Sequence, residues 1–444
     1  MKAADAPQRA LSFEHNPPLS LPMRYFLSAP LFAALAAALL AWQGPAALLS
    51  RWSPQTLALT HLMVLGCLSM TMVGALLQML PVVGGIAVPR ARTVGALVHA
   101  GLCVGTLLLA AAFWLEQPVL FRCAMAALLG ALLLFLGACT VGMWRPHAPG
   151  AGAVMAGIRL ALAALVVTMV LGGMLAGAFA WPGAASWPLE RLTDLHAMWG
   201  LQGWVGLLVI AIAFQVVPMF MVTPPYPALL TGGYTTALFL LLTAVSLSSG
   251  LAGPGRLFHL ASQVLLAAGY GLFGGCTLYL LARRKRPKAD PTTLYWRTAM
   301  ACLLAALAVW LWPDSQASNV RPLLVGVLLV AGFAQSAVQG MLYKIVPFLA
   351  WYHLREAAPD PRCKLPGISK IIPEHRAQRQ FWTHVLALLS LAAACWQPDV
   401  LARPAAALMC ASCLWLWFNL AGAARLYWRL RAAPAPSFSV SATT

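Results

Sequence analysis

Charge is what this sequence has least of. Charged residues make up 9% of the 444, against about 25% in soluble globular proteins, which excludes a large water-soluble core. Acids are scarcest, with 11 Asp and Glu beside 29 Lys and Arg. Glu116, Glu190, Asp194 and Asp314 fall outside the middle of every apolar stretch, and a proton-coupled carrier ordinarily keeps an acid inside the membrane. No phosphate-binding loop, no His-Glu-x-x-His and no nucleophile motif is present, so the common sequence-readable hydrolase and nucleotide chemistries have no foothold. The ten cysteines supply no Cys-x-x-Cys pair on a loop. Cys67, Cys103, Cys276, Cys410 and Cys413 sit in apolar stretches and read as small buried side chains. The first 25 residues are polar and proline-containing, without the apolar core and small-residue cleavage site of a signal peptide.

What is abundant is hydrophobicity, 61% of the chain. A membrane-crossing helix needs about 20 apolar residues. Twelve such stretches are readable, near 26–49, 55–82, 92–115, 120–144, 152–180, 195–222, 228–250, 256–282, 296–312, 321–350, 381–399 and 404–428. The expected fold is an all-α polytopic membrane protein with a short tail over 1–25, a twelve-helix domain over 26–431 and a tail over 432–444. Arg51, Arg122, Arg191, Arg256, Arg321 and Arg403 fall on one side and the other 23 of the 29 basic residues on the opposite side or facing it. The positive-inside rule makes the richer side cytoplasmic, with both termini there. The expected location is a bacterial-type inner membrane, with the lipid bilayer as the main partner. The net charge of +18 is then topology, and no nucleic-acid partner is needed. The longest loop, 351–380, is cytoplasmic on this reading and carries Arg355, Glu356, Asp360, Arg362, Cys363 and Lys364.

A phrase recurs three times. His61 is followed by Gly66, Gly74, Gln78 and Pro81; His196 by Gly200, Gln215 and Pro218; and the third copy runs from Gly332 through Gly340 and Lys344 to Pro347. These are the second, sixth and tenth stretches, which predicts three pseudo-repeated blocks of four helices. Gln78, Gln215 and Lys344 share a place three residues before each proline. The prolines mark the inner ends, where they stop or kink a helix, and Lys344 reaches the inner interface by snorkelling or serves as an internal proton or anion contact. His61 and His196 lie on the outer side. An intramembrane histidine is a functional-site hypothesis, and neutral imidazole ligates heme iron, copper or zinc. His259, opening the eighth stretch on the same side, is a third candidate. His99 and His384 lie too far inward to share the site and read as core histidines bonded to a neighbouring helix.

The histidines at the second and sixth positions, the phrase from His61 to Pro81 and the twelve spans together resemble subunit I of the heme-copper oxidase superfamily. The resemblance is to the cbb3-type and nitric-oxide-reductase branch and the related membrane heme proteins of the nitric-oxide response. It implies that His61 is a heme ligand and that His196 occupies the place of a copper ligand. It also implies heme as cofactor, with copper as the alternative metal, and a membrane redox partner or oxidase subunit. The chain departs from the pattern elsewhere. Residues 228–250 hold no histidine where the family has a His-His pair, and 321–350 hold none where it has two heme ligands. A complete oxygen-reducing centre is therefore not expected. The alternatives are a permease for a metal or small molecule that uses Lys344, and an assembly protein that docks through 351–380.

Overall fold

The computed structural model describes residues 16–143, 151–184, 187–312, 319–358 and 365–432, and these contain helices and no strand. We number the long helices α1 (Ser20–Leu48), α2 (Pro54–Gly84), α3 (Ala91–Leu115), α4 (Pro118–Met143), α5 (Gly152–Ala180) and α6 (Leu189–Met221). They continue with α7 (Tyr234–Ser248), α8 (Pro254–Ala282), α9 (Pro291–Leu311), α10 (Val320–Glu356), α11 (Glu374–Ala394) and α12 (Pro398–Ala432). All but α7 and α11 are long and apolar enough to cross a membrane. The α7 helix is apolar but only 15 residues long, and α11 opens with Glu374, His375, Arg376 and Arg379. The chain is an all-α, multi-pass membrane protein. Its outside is apolar, with Leu133, Val170, Leu265 and Leu389 exposed, while Gln335, Gln380, His384 and Ser412 are fully buried. That inverts the soluble pattern and suits lipid as solvent.

The expected boundaries shift in two places. Helix α1 begins at Ser20, inside the expected tail. Helix α10 runs to Glu356 and a helical turn occupies Ile368–Ile371, so much of the expected 351–380 loop is helical. Asp360, Arg362, Cys363 and Lys364 of that loop, Asp314, residues 1–15 and residues 433–444 lie outside the described residues.

The repeat is written into the backbone. Each of α2, α6 and α10 is interrupted by a π-helical segment, at Leu62–Ser69, Trp199–Leu207 and Leu328–Ala334. Each segment begins nineteen residues before its proline (Pro81, Pro218 or Pro347) and carries a glycine four residues in. Those glycines do one job three times. A Cβ at Gly66 would meet Phe32 of α1 at 2.5 Å, at Gly203 Ala164 of α5 at 2.8 Å, and at Gly332 Cys302 of α9 at 2.7 Å. The widened turn of each central helix is thus pressed onto the helix before it in its block. The α10 segment packs against both others, and Trp204 Nε1 donates to Ser69 Oγ at 3.0 Å between the α6 and α2 segments. The α12 helix lies along α1 and closes the ring. The prolines do not stop their helices. Helices α2 and α6 end three residues past Pro81 and Pro218, and α10 continues nine residues past Pro347.

The two ends of the bundle differ. At the arginine-poor end four of the six arginines find a nearby carbonyl, hydroxyl or acid. Arg122 donates to Ala180 O at the end of α5, Arg191 to Ser249 beyond α7, Arg321 to Trp310 O in the last turn of α9, and Arg51 pairs with Asp194 at 2.7 Å. Cations there satisfy the orphan carbonyls of helix C-termini. The opposite end, from Arg283 to Lys288, is the basic end.

Gly66→Leu is expected to lower the thermal midpoint of detergent-purified protein by an amount equivalent to about 1–3 kcal/mol, the usual cost of overpacking. Gly173→Ala, where an added Cβ meets nothing within 4 Å, should leave it unchanged. Equal behaviour of the two variants would refute the close-packing account.

Candidate functional site

His61 and His196 each lie seven residues into their helix from the arginine-poor end, about 10 Å deep at 1.5 Å per residue, just before the π segments. The structure brings them together, with ring centroids 6.3 Å apart and planes inclined by 22°. His61 Nδ1 bonds Leu57 O at 2.7 Å and His196 Nδ1 bonds Thr168 O of α5 at 3.1 Å. A carbonyl can only accept, so Nδ1 carries the proton in both rings. In the neutral tautomer so fixed, each Nε2 keeps its lone pair. A second-shell carbonyl on the far nitrogen is the usual way a metal-binding histidine is oriented.

The packing around the pair is local and specific. A Cβ at Gly172 would meet His196 Cε1 at 2.8 Å, so glycine there lets the imidazole lie against the α5 backbone. On the other side of His61 lies Phe113, at 5.3 Å and 26°. Phe113 in turn meets Phe121 at 5.0 Å and Phe179 at 5.9 Å, both edge-on. An apolar cavity of about 270 Å³ opens beside Leu62, Ala110 and Trp114.

The 6.3 Å between the ring centroids is comparable to the separation of two imidazoles that share one ion. Metal–nitrogen bonds to imidazole are about 2.0–2.1 Å, and adding the ring radii puts the centroids of an in-line pair about 6 Å apart. Two neutral nitrogens in an aromatic, apolar setting suit heme iron as axial ligands, and suit copper equally. His259 is not part of this arrangement. Its Nδ1 meets Ser248 Oγ at 3.0 Å near the end of α7, and among the described residues no three His, Cys, Asp or Glu gather as a metal-binding group.

The three residues before the prolines do not form one site. Gln78 is buried and donates to Asn16 Oδ1 at 2.7 Å. Asn16 in turn meets His353 Nε2 at 3.3 Å. Gln215 is half-buried in α6. Lys344 does not snorkel alone: its Nζ lies 2.6 Å from Asp290 Oδ2. Asp290 also caps α9 by accepting from Thr293 N at 2.9 Å and Thr293 Oγ1 at 2.8 Å. Its placement just before Pro291 is a readable N-cap signature, but its partner lies far along the chain. His99 and His384 bond serines of neighbouring helices, Ser28 and Ser336, each at 2.8 Å, as expected of core histidines.

No protein-family model matches the chain, and no curated protein matches it.

Burial alone raises the Asp290 pKa. The hydrogen bond and charge of Lys344 and the two bonds from Thr293 outweigh it and hold the carboxyl below its usual range. A depressed pKa contributes stability that is fully present above about 4, the ordinary aspartate value, and is lost as the pH falls through the native value. Asp290→Asn should therefore cost about 1–3 kcal/mol near neutral pH, the range for hydrogen bonds to charged groups. The gap between wild type and variant should narrow as the pH drops below about 4. A gap independent of pH in thermal melts would contradict the ion pair.

Proposed function

We propose that this chain is a redox membrane protein in which His61 and His196 would hold one metal centre between them, with heme iron as the metal. The observation that carries this reading is the pair itself: two rings 6.3 Å apart, each with its Nδ1 committed to a backbone carbonyl. The resemblance to heme-copper oxidase subunit I supports the role of His61 as a heme ligand; for His196 it implies the place of a copper ligand instead, so that half of the assignment rests on the pairing of the two rings. Bound there, a heme supplies one-electron transfer. With two histidines of the chain holding one iron, the chemistry supplied would be electron transfer rather than gas binding.

The chain's own residues then have separable roles. The Leu57 and Thr168 carbonyls fix the tautomers, Gly172 gives the His196 ring its seat, and Phe113 covers the His61 ring. By the positive-inside rule the pair lies in the outer half of a bacterial-type inner membrane with both termini cytoplasmic, within reach of an electron donor or acceptor on that side. Copper(I) is the second reading, because the same spacing serves one copper ion and imidazole is a good copper ligand. The permease reading rested on Lys344 as an intramembrane cation, and the 2.6 Å pair with Asp290 supplies a structural reason for that residue instead.

Purified protein should show a Soret band, with iron near one per chain by elemental analysis. His61→Ala and His196→Ala should each abolish the band while the protein still purifies folded. Copper without a Soret band would move the assignment to the second reading. A spectrum unchanged in both variants would refute the pair as ligands, and colourless, metal-free protein that supports uptake abolished by Lys344→Met would favour the permease.

A further inference from the structure

The third block lacks the imidazole pair but holds a second buried polar system, in the half of the bundle nearer the basic end. Gln380 of α11 stands at its centre. Its Oε1 accepts from Tyr295 OH at 2.5 Å and Tyr343 OH at 3.0 Å. Its Nε2 donates to Ser412 Oγ at 2.9 Å and Gln339 Oε1 at 3.2 Å. Asn419 donates to Tyr343 OH at 2.9 Å. Four helices, α9 to α12, contribute, and Gln380 is fully saturated.

The rim is not saturated. His384 Nδ1, Gln335 Oε1 and Trp296 Nε1 are buried with no hydrogen-bond partner, and all three residues are at most 2% exposed. All three border the same stretch of α10, just past its π segment. Ser336 bonds the other nitrogen of His384, Gln335 belongs to this stretch itself, and a Cβ at Gly340 would lie 3.3 Å from Trp296 Cδ1. Orphan polar atoms inside a membrane are costly, and three along residues 335–340 of one helix ask for a guest. The atoms say what kind. Gln335 Oε1 accepts only, the Trp296 indole N–H donates only, and His384 Nδ1 does either according to tautomer. A bare cation would satisfy Gln335 and not Trp296, and an anion the reverse. The guest is neutral, both donates and accepts, and is small enough for an enclosed site.

We propose that these residues hold internal water that exchanges with bulk solvent and, with it, the ring proton of His384. In the exchange a ring N–H of His384 gives its proton to water and takes one back at the same nitrogen, with no net change of charge. This site is independent of the metal reading, and shares no residue with the His61–His196 pair.

The test uses full-length protein in lipid nanodiscs. Hydroxyl-radical footprinting in ¹⁸O-labelled water should mark Tyr295 and Trp296, while Tyr25 and Trp204 stay unmarked. The latter two are equally buried rings whose polar atoms are paired, with Gly95 O and Ser69 Oγ. His384→Phe should reduce the labelling of Tyr295 and Trp296. With ¹⁵N-labelled histidine, the ring N–H signal missing from His384→Phe should vanish promptly when wild type is moved into D₂O. Labelling of Tyr295 and Trp296 no greater than that of Tyr25 and Trp204 would overturn the water site, and this arm needs no variant. A lasting His384 N–H signal in D₂O would overturn the exchange.

Discussion

The structure turns on three widened turns meeting at one axis. A π segment spoils the regular backbone ladder of a helix, and in lipid such irregularity survives only where protein covers it. Here the cover is mutual. The α10 segment lies against those of α2 and α6, and the Trp204–Ser69 bond ties the α2 and α6 segments together. The glycine in each segment lets its helix sink onto the neighbour within its own block. Place one segment elsewhere and the central contacts, the seating of His61 and His196 just before them, and the polar system just past the third all lose their frame.

The sequence shows the frame better than its contents. The apolar stretches and a phrase repeated at the second, sixth and tenth are enough for the bundle and its blocks, because lipid imposes length and apolarity on the crossing helices, ten of which meet that measure among the described residues. The π segments are invisible, since in a uniformly apolar run no polar stripe reveals whether a turn holds 3.6 residues or more. The prolines read as helix ends, yet Pro347 lies nine residues inside α10, because a buried helix with good neighbours tolerates the missing N–H.

The site divides in the same way. His61 and His196 are legible because a titratable ring in a membrane span is conspicuous. What holds them is not legible: the Thr168 carbonyl is a backbone group, and Gly172 is one of 35 glycines until the His196 ring is seen lying on it. Asp290 looks like an N-cap and is one, and nothing local announces Lys344. Gln380 stands out only when four helices are assembled; His384 reads from the sequence as a core histidine, and what the sequence hides is its unpaired Nδ1.

The pair is not a simple product of the repeat. With the prolines and π segments in register, the position of His61 in the second block is Met198, and that of His196 in the first block is Leu59; the third block has Val327 and Val325. The two histidines are thus offset by two residues, which turns a side chain by about 200° around a helix and moves it about 3 Å along. Strictly equivalent histidines would be related by the pseudo-three-fold rotation, each ring facing its own neighbour in the same sense. The offset breaks that relation, and it accounts for the unlike anchors: His61 bonds a carbonyl of its own helix and His196 one of α5. The departure from the scaffold's symmetry, with two rings at 6.3 Å, is thus a property of the α2–α6 junction and not of the repeat.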